Sequence, residues 1–151
     1  MMMLETILAT VDPSDQKYAV LFHAAEMTRR FGSKLHLVSV YDLSQLSSVR
    51  ISEPVPDIIE TMEAETKQLL EKAQQQLDEW GIASQTHFLE GSVIDQIALL
   101  AEQINADLIV MGHHHASRLK RLLKNSAAKG LIDKSPCSIM IVRESEQDPE
   151  Q

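Results

Sequence analysis

Two segments of the chain carry residue types suited to ligand chemistry. Residues 110–130 read VMGHHHASRLKRLLKNSAAKG, with Gly112, the consecutive His113, His114 and His115, four basic side chains before Asn125 and Ser126, and Lys129 beyond them. Asp12, Pro13 and Ser14 follow the apolar run LETILATV. A glycine directly after an apolar strand lets the main chain turn sharply or approach a ligand closely. A basic helix entry carrying Asn125 and Ser126 supplies N–H groups, a hydroxyl and positive field of the kind that holds phosphate. Neither GxxxxGK[ST] nor GxGxxG occurs, so neither standard phosphate fingerprint carries this reading.

The three histidines also invite a metal reading. Adjacent side chains point in different directions, whereas metal ligands converge from i and i+4 on a helix or from separate loops. No CxxC or HxxxH accompanies them, and no metal site is expected. Asp12 has two readings of equal standing: a turn and helix-start residue, or a carboxylate accepting hydrogen bonds from a ribose or base. Catalysis finds no comparable support, because no GxSxG elbow and no HxGH motif is present. No catalytic residue is expected.

The periodicity that must position these segments alternates between strand and helix. Strands are expected at 4–11, 34–41, 84–90, 106–112 and 137–142. Helices are expected at 15–31, from Asp57 to about residue 80, at 93–104, and from about 118 or 125 to 134. In the first helix Ala19, Phe22, His23, Glu26, Met27 and Arg30 fall at helical spacing, and Gly32 is placed to stop it. Asp57 with Glu60 resembles a capping box, Gly81 closes the second helix, and Ser92 is suited to cap the third. Residues 42–56 form a polar loop long enough to be mobile or to face a partner. The pattern is a single-domain α/β unit over residues 1–142, a five-stranded parallel sheet with helices on both faces, followed by a disordered acidic tail at 143–151.

Composition points the same way. With 151 residues, 44% hydrophobic and 24% charged, the chain is long enough for one core without disulfides or metal. The single cysteine, Cys137, excludes an internal disulfide and fits a small buried apolar role. No apolar run spans a bilayer, and the first residues lack a basic n-region and cleavage site, so no membrane association and a cytoplasmic location are expected. The net charge of −8 argues against nucleic acid as a partner. Yet Arg118, Lys120, Arg121, Lys124, Lys129 and Lys134 concentrate six of the fourteen basic side chains in one window, as an anion site or as a solvated helix face.

The whole chain resembles the universal stress protein family, in the VD-P-S that ends the first strand, in LVSVYD, in ADLIVMG and in SPCSIMIV. That resemblance implies an adenine-nucleotide alpha hydrolase-like fold of strand order 3-2-1-4-5. It also implies a homodimer through the last strand, Cys137–Val142. An apolar edge strand there needs a cover for its own reasons. Nucleotide-binding members carry G-x2-G-x9-G-[ST] after the fourth strand. Here Gly112 takes the first glycine, His115 stands at the second, Asn125 at the third, and Ser126 matches the final position. The GHH start is similar to the universal stress protein A type, which does not rely on bound ATP. The resemblance therefore implies a non-catalytic stress-response module with weak or no ATP binding. Its alternative is an ATP- or AMP-binding signalling module, with Mg, in which Asp12 holds ribose or base, Val40 flanks the adenine, and Gly112, His115, Asn125 and Ser126 lie along the phosphates. A nucleotide hydrolase is a third, weaker reading, and a protein partner is left open.

Overall fold

Central parallel strands are covered on both faces, which rewards continuous aliphatic sequence, and the apolar runs become strands on that account. A computed structural model describes residues 4–13, 18–43, 55–113 and 136–143. Among them the strands are β1 (Thr6–Thr10), β2 (Lys34–Tyr41), β3 (Ser84–Glu90), β4 (Leu108–Gly112) and β5 (Ser138–Val142), and the helices are α1 (Ala19–Phe31), α2 (Val55–Glu79) and α3 (Val93–Gln103). The sheet runs β3-β2-β1-β4-β5 with every neighbouring pair parallel, the expected order.

The two-residue period of each strand sorts its side chains between two cores. Ile7, Ala9, Leu35, Leu37, Leu108 and Val110 meet α1 and α2 through Leu21, Ala24, Leu70 and Leu77. Leu8, Val38, Ile109 and Met111 meet α3 through Ile94, Ile97 and Leu100. Cys137 is half-buried at the border of this second core. At the amino end of the sheet the Asp107 carboxylate accepts the Glu5 and Thr6 N–H groups at 2.9 and 3.0 Å, tying the start of β1 to β4.

The helices depart from expectation in their buried faces and their starts. In α1 the buried face is Val20, Leu21, Ala24, Ala25 and Thr28, and not the face of Phe22, His23 and Arg30, which is exposed. Both stripes satisfy helical spacing. The one with two alanines wins because small side chains let the helix lie close to the sheet. The helix starts at Ala19 and not at 15, since Tyr18 adopts φ 56° and ψ 34°, outside the right-handed helical region. It stops at Gly32, φ 64°, as expected. Helix α2 begins at Val55, so Asp57 lies in its first turn rather than at the cap. Pro56 suits that turn, where its missing N–H costs nothing, and the Asp57 carboxylate is favoured by the helix dipole. Ser92 holds the N-cap position of α3, but its hydroxyl makes no capping bond; its carbonyl accepts the Gln96 N–H at 2.9 Å.

The expected helix within 118–134, most of loop 42–56 and the tail beyond Arg143 lie outside the described residues. Among the described residues no helix is long and apolar enough to cross a membrane.

Candidate functional site

Strand β1 lies between β2 and β4, and the chain leaves it in one direction through β2 and β3 before α3 returns it to β4 on the other side. Strand order therefore reverses between β1 and β4, where parallel sheets open a crevice beyond their carboxyl ends. Asp12 stands there, only 8% exposed. Beside it is a cleft of about 350 Å³, floored by Val11, Asp12, Ser39, Val40 and Asp42. One face of α2, formed by Met62, Glu65, Thr66 and Leu69, walls it, and Val93 closes the end where α3 begins. That volume falls within the range of small-molecule sites.

The cleft is acidic. Asp12, Asp42 and Glu65 line it, and among the described residues no lysine or arginine does. Tyr41 braces the wall. Its phenol donates to Glu63 Oε1 at 3.1 Å, and its ring stacks on Phe88 with centroids 4.9 Å apart and planes 22° apart. The Lys67 ammonium lies 5.1 Å from the Phe88 centroid on the same stack. Burial, then the hydrogen bond and charge of Glu63, then Glu90 push the Tyr41 phenol up to about 12. At neutral pH it is thus a fixed neutral donor that joins β2 to α2.

Of the sequence-derived site residues, the fold brings Asp12 and Val40 together in this cleft. Gly112 is the buried last residue of β4, paired with Val142, and emerges at the same end of the sheet because Val110 pairs with Ala9 of β1. It does not line the described cleft. His115, Asn125 and Ser126 lie outside the described residues, whereas His113 is exposed directly after β4. No group of three or more His, Cys, Asp or Glu among the described residues is placed to hold a metal ion. Sequence reasoning missed Tyr41 and the α2 wall. Its signal was there, in the i, i+3, i+4, i+7 spacing of residues 62, 65, 66 and 69, which mixes apolar and polar side chains on one helical face.

The sequence model of the Universal stress protein family matches residues 3–143. The chain belongs to the universal stress protein family. A universal stress protein of Methanocaldococcus jannaschii is 28% identical over 94% of this chain and 84% of its own length. Another from Synechocystis is 30% identical over 93% of this chain and 86% of its own. Among solved structures, the universal stress protein of Archaeoglobus fulgidus in complex with dAMP superposes with a TM-score of 0.62, at 24% identity, over 93% of this chain and 99% of that one. As a universal stress protein, the chain thus shares its fold with a family member that holds an adenine nucleotide.

Proposed function

We propose that this universal stress protein is a non-catalytic, homodimeric stress-response module whose cleft admits the nucleoside part of an adenine nucleotide and whose grip on a triphosphate is weak or absent. The observation that carries the reading is the placement of Asp12 and Val40 in one cleft at the reversal of strand order. A buried carboxylate accepts hydrogen bonds from ribose hydroxyls or a base amine, while Val40, Met62 and Leu69 offer apolar contact to a ring. The dAMP held by the Archaeoglobus relative supports this ligand class. Asp12, Asp42 and Glu65 repel phosphates, so these must extend toward Gly112 and the basic segment after it. There His115 and Asn125 stand where binding members have glycine, and a Cβ hinders the close main-chain approach that phosphate requires. Magnesium would enter only with such phosphates. Calorimetric titration with adenosine, AMP and ATP plus magnesium tests the reading. Micromolar adenosine or AMP binding without a further gain for ATP supports it, and low-micromolar binding of ATP alone overturns it in favour of an ATP-dependent signalling module.

Dimerisation through Cys137–Val142 is part of the same proposal. In β5, an edge strand, Ile141 is 55% exposed, and an apolar edge of this kind is stabilised by a second copy. Sedimentation of the Ile141→Lys variant should show a monomer at concentrations where the parent is dimeric. A parent that sediments as a monomer at every concentration sinks this part.

A further inference from the structure

His36 and His87 form a pair that the cleft does not use. They lie on the sheet face that carries Val38, in adjacent strands: Val38 is the register partner of His87, and Gln85 that of His36. Their rings stack at 5.2 Å with planes 19° apart, and His36 Nδ1 meets His87 Nε2 at 2.9 Å. His36 is buried at 8% exposure and His87 is half-buried.

We infer that this pair is an acid-sensitive fastener between β2 and the edge strand β3, closed while it holds one shared hydrogen between the two facing nitrogens and opened when a proton occupies each of them. A neutral imidazole offers one donor and one acceptor nitrogen, so two neutral rings join through a single N–H···N bond in either tautomer arrangement. One added proton can sit on the outer nitrogen of the donor ring and leave that bond intact, although burial disfavours the charge. A second proton puts hydrogen on both facing nitrogens, removes the only acceptor, and sets two positive rings against one another in a half-buried site.

Among the described residues no carboxylate is placed to absorb that charge. Lys34 at the start of β2 adds positive charge beside His36. The carboxylates of the neighbouring elements, Asp95 and Glu102 on α3 and Glu90 at the end of β3, are all exposed, and the two rings hydrogen-bond to one another. Strand β1 contributes no titratable group. Burial first, then His87 and Lys34, lower the His36 value below 6.5, and burial lowers that of His87. The unfolded chain therefore takes up protons before the folded one does. The pair's contribution to stability is complete above about pH 6.5 and is lost as pH falls through the lowered folded values. The loss falls on β3, because an edge strand has a hydrogen-bonded neighbour on one side only, here β2.

The test uses the intact wild-type chain. Ring resonances of the histidines are titrated by NMR, and amide exchange of residues 84–90 is compared with that of 108–112 at about pH 7.5 and about pH 5, each corrected for intrinsic rate. Two linked titration steps below the ordinary histidine value are expected, with β3 amides gaining about tenfold or more in exchange relative to β4 amides at the lower pH. In His87→Gln only one ring can charge, and the acid-dependent gain should shrink. Rings that titrate independently at the ordinary value overturn the proposal, as does β3 protection that tracks β4 throughout. An unchanged acid response in a folded His87→Gln variant does the same. If that variant does not fold, the wild-type titration and exchange decide alone.

Discussion

On the β1–β2 side of the sheet's carboxyl end, the cleft is walled by carboxylates held in place by a strand ladder and a helix face. The sequence that follows β4 carries six basic side chains between residues 118 and 134. A nucleoside is uncharged, and a triphosphate is strongly anionic. On the function proposed above, the acidic cleft, one half of the site, suits base and ribose, and the basic sequence after β4, the other half, offers phosphates a favourable field. The halves differ also in what they ask of the backbone. In the proposed roles Asp12 and Val40 would act through side chains that any ordinary strand end can present, whereas phosphate cradling through N–H groups needs a main chain free of nearby Cβ atoms. One half can thus persist while the other weakens.

The largest expected effect comes from breaking the acidic half. Asp12→Ala removes a buried carboxylate acceptor, and hydrogen bonds to charged groups contribute about 1.5–3 kcal/mol, so adenosine and AMP should each bind about 10- to 150-fold more weakly. Equal losses for both ligands, read by calorimetry, mark Asp12 as a nucleoside contact. A loss confined to AMP would move it to the phosphates and undo the division of roles. Next comes repair of the basic half. His115→Gly combined with Asn125→Gly restores the spacing of three glycines before Ser126, and ATP should gain about tenfold in affinity while adenosine is unchanged. Each glycine costs about 0.5–1 kcal/mol of stability through the unfolded chain where the native backbone is ordinary, so unfolding must be followed in parallel. If the folded double variant binds ATP no better, the histidine-rich stretch meets something other than a nucleotide.

The β2–α2 wall of the acidic half has a pH signature of its own. Because the folded Tyr41 value is raised to about 12 from 10.0, the folded state keeps its proton where the unfolded state loses it. Stability from this group is complete below about pH 10 and declines as pH rises toward 12. Denaturant unfolding across that range should show the decline in the parent and a flatter profile in Tyr41→Phe, which keeps the Phe88 stack and has no proton to lose. A parent and variant with the same alkaline slope would show that Glu63 and Glu90 do not hold the phenol as the geometry indicates.

The sheet was legible in the sequence because each strand's pattern is local: ADLIVMG and KLHLVSVY are apolar enough to be strands wherever they pack. The face of α1 was legible only in part: Ala19 and Met27 of the expected stripe pack half-buried against the core, whereas Phe22, His23 and Arg30 are exposed and Val20, Leu21, Ala24 and Ala25 are buried in their place. Asp12 was legible as a strand-end carboxylate, but its neighbours from α2 were not. Met62 and Leu69 fall at ordinary helical spacing, and nothing marks them for the cleft until the crossover lays that helix face over the end of β2. The His36–His87 pair was the least visible of all. The two rings belong to separate strands with the whole of α2 between them in sequence. Their meeting depends on strand register, which no pattern in either segment specifies.

The smallest expected effect sharpens where recognition begins on β1. Thr10, its last residue, is 2% exposed, and its hydroxyl oxygen is buried with no hydrogen-bond partner among the described residues. Burying a hydroxyl without a partner is unfavourable, so Thr10→Val, which keeps the shape and β-branching, should leave stability unchanged or raise it by up to about 1 kcal/mol. The side chain stands two residues before Asp12 and does not line the cleft. Adenosine affinity should therefore be unaffected, confining nucleoside contact in this segment to the residues that follow β1. A variant that is both more stable and weaker in adenosine binding would place the hydroxyl within reach of the ligand and extend the acidic half one layer deeper into the sheet. A variant destabilised by more than about 1 kcal/mol would instead mean that the hydroxyl is satisfied in solution, by water or by main chain, and that Thr10 holds β1 in place rather than standing idle beneath the site.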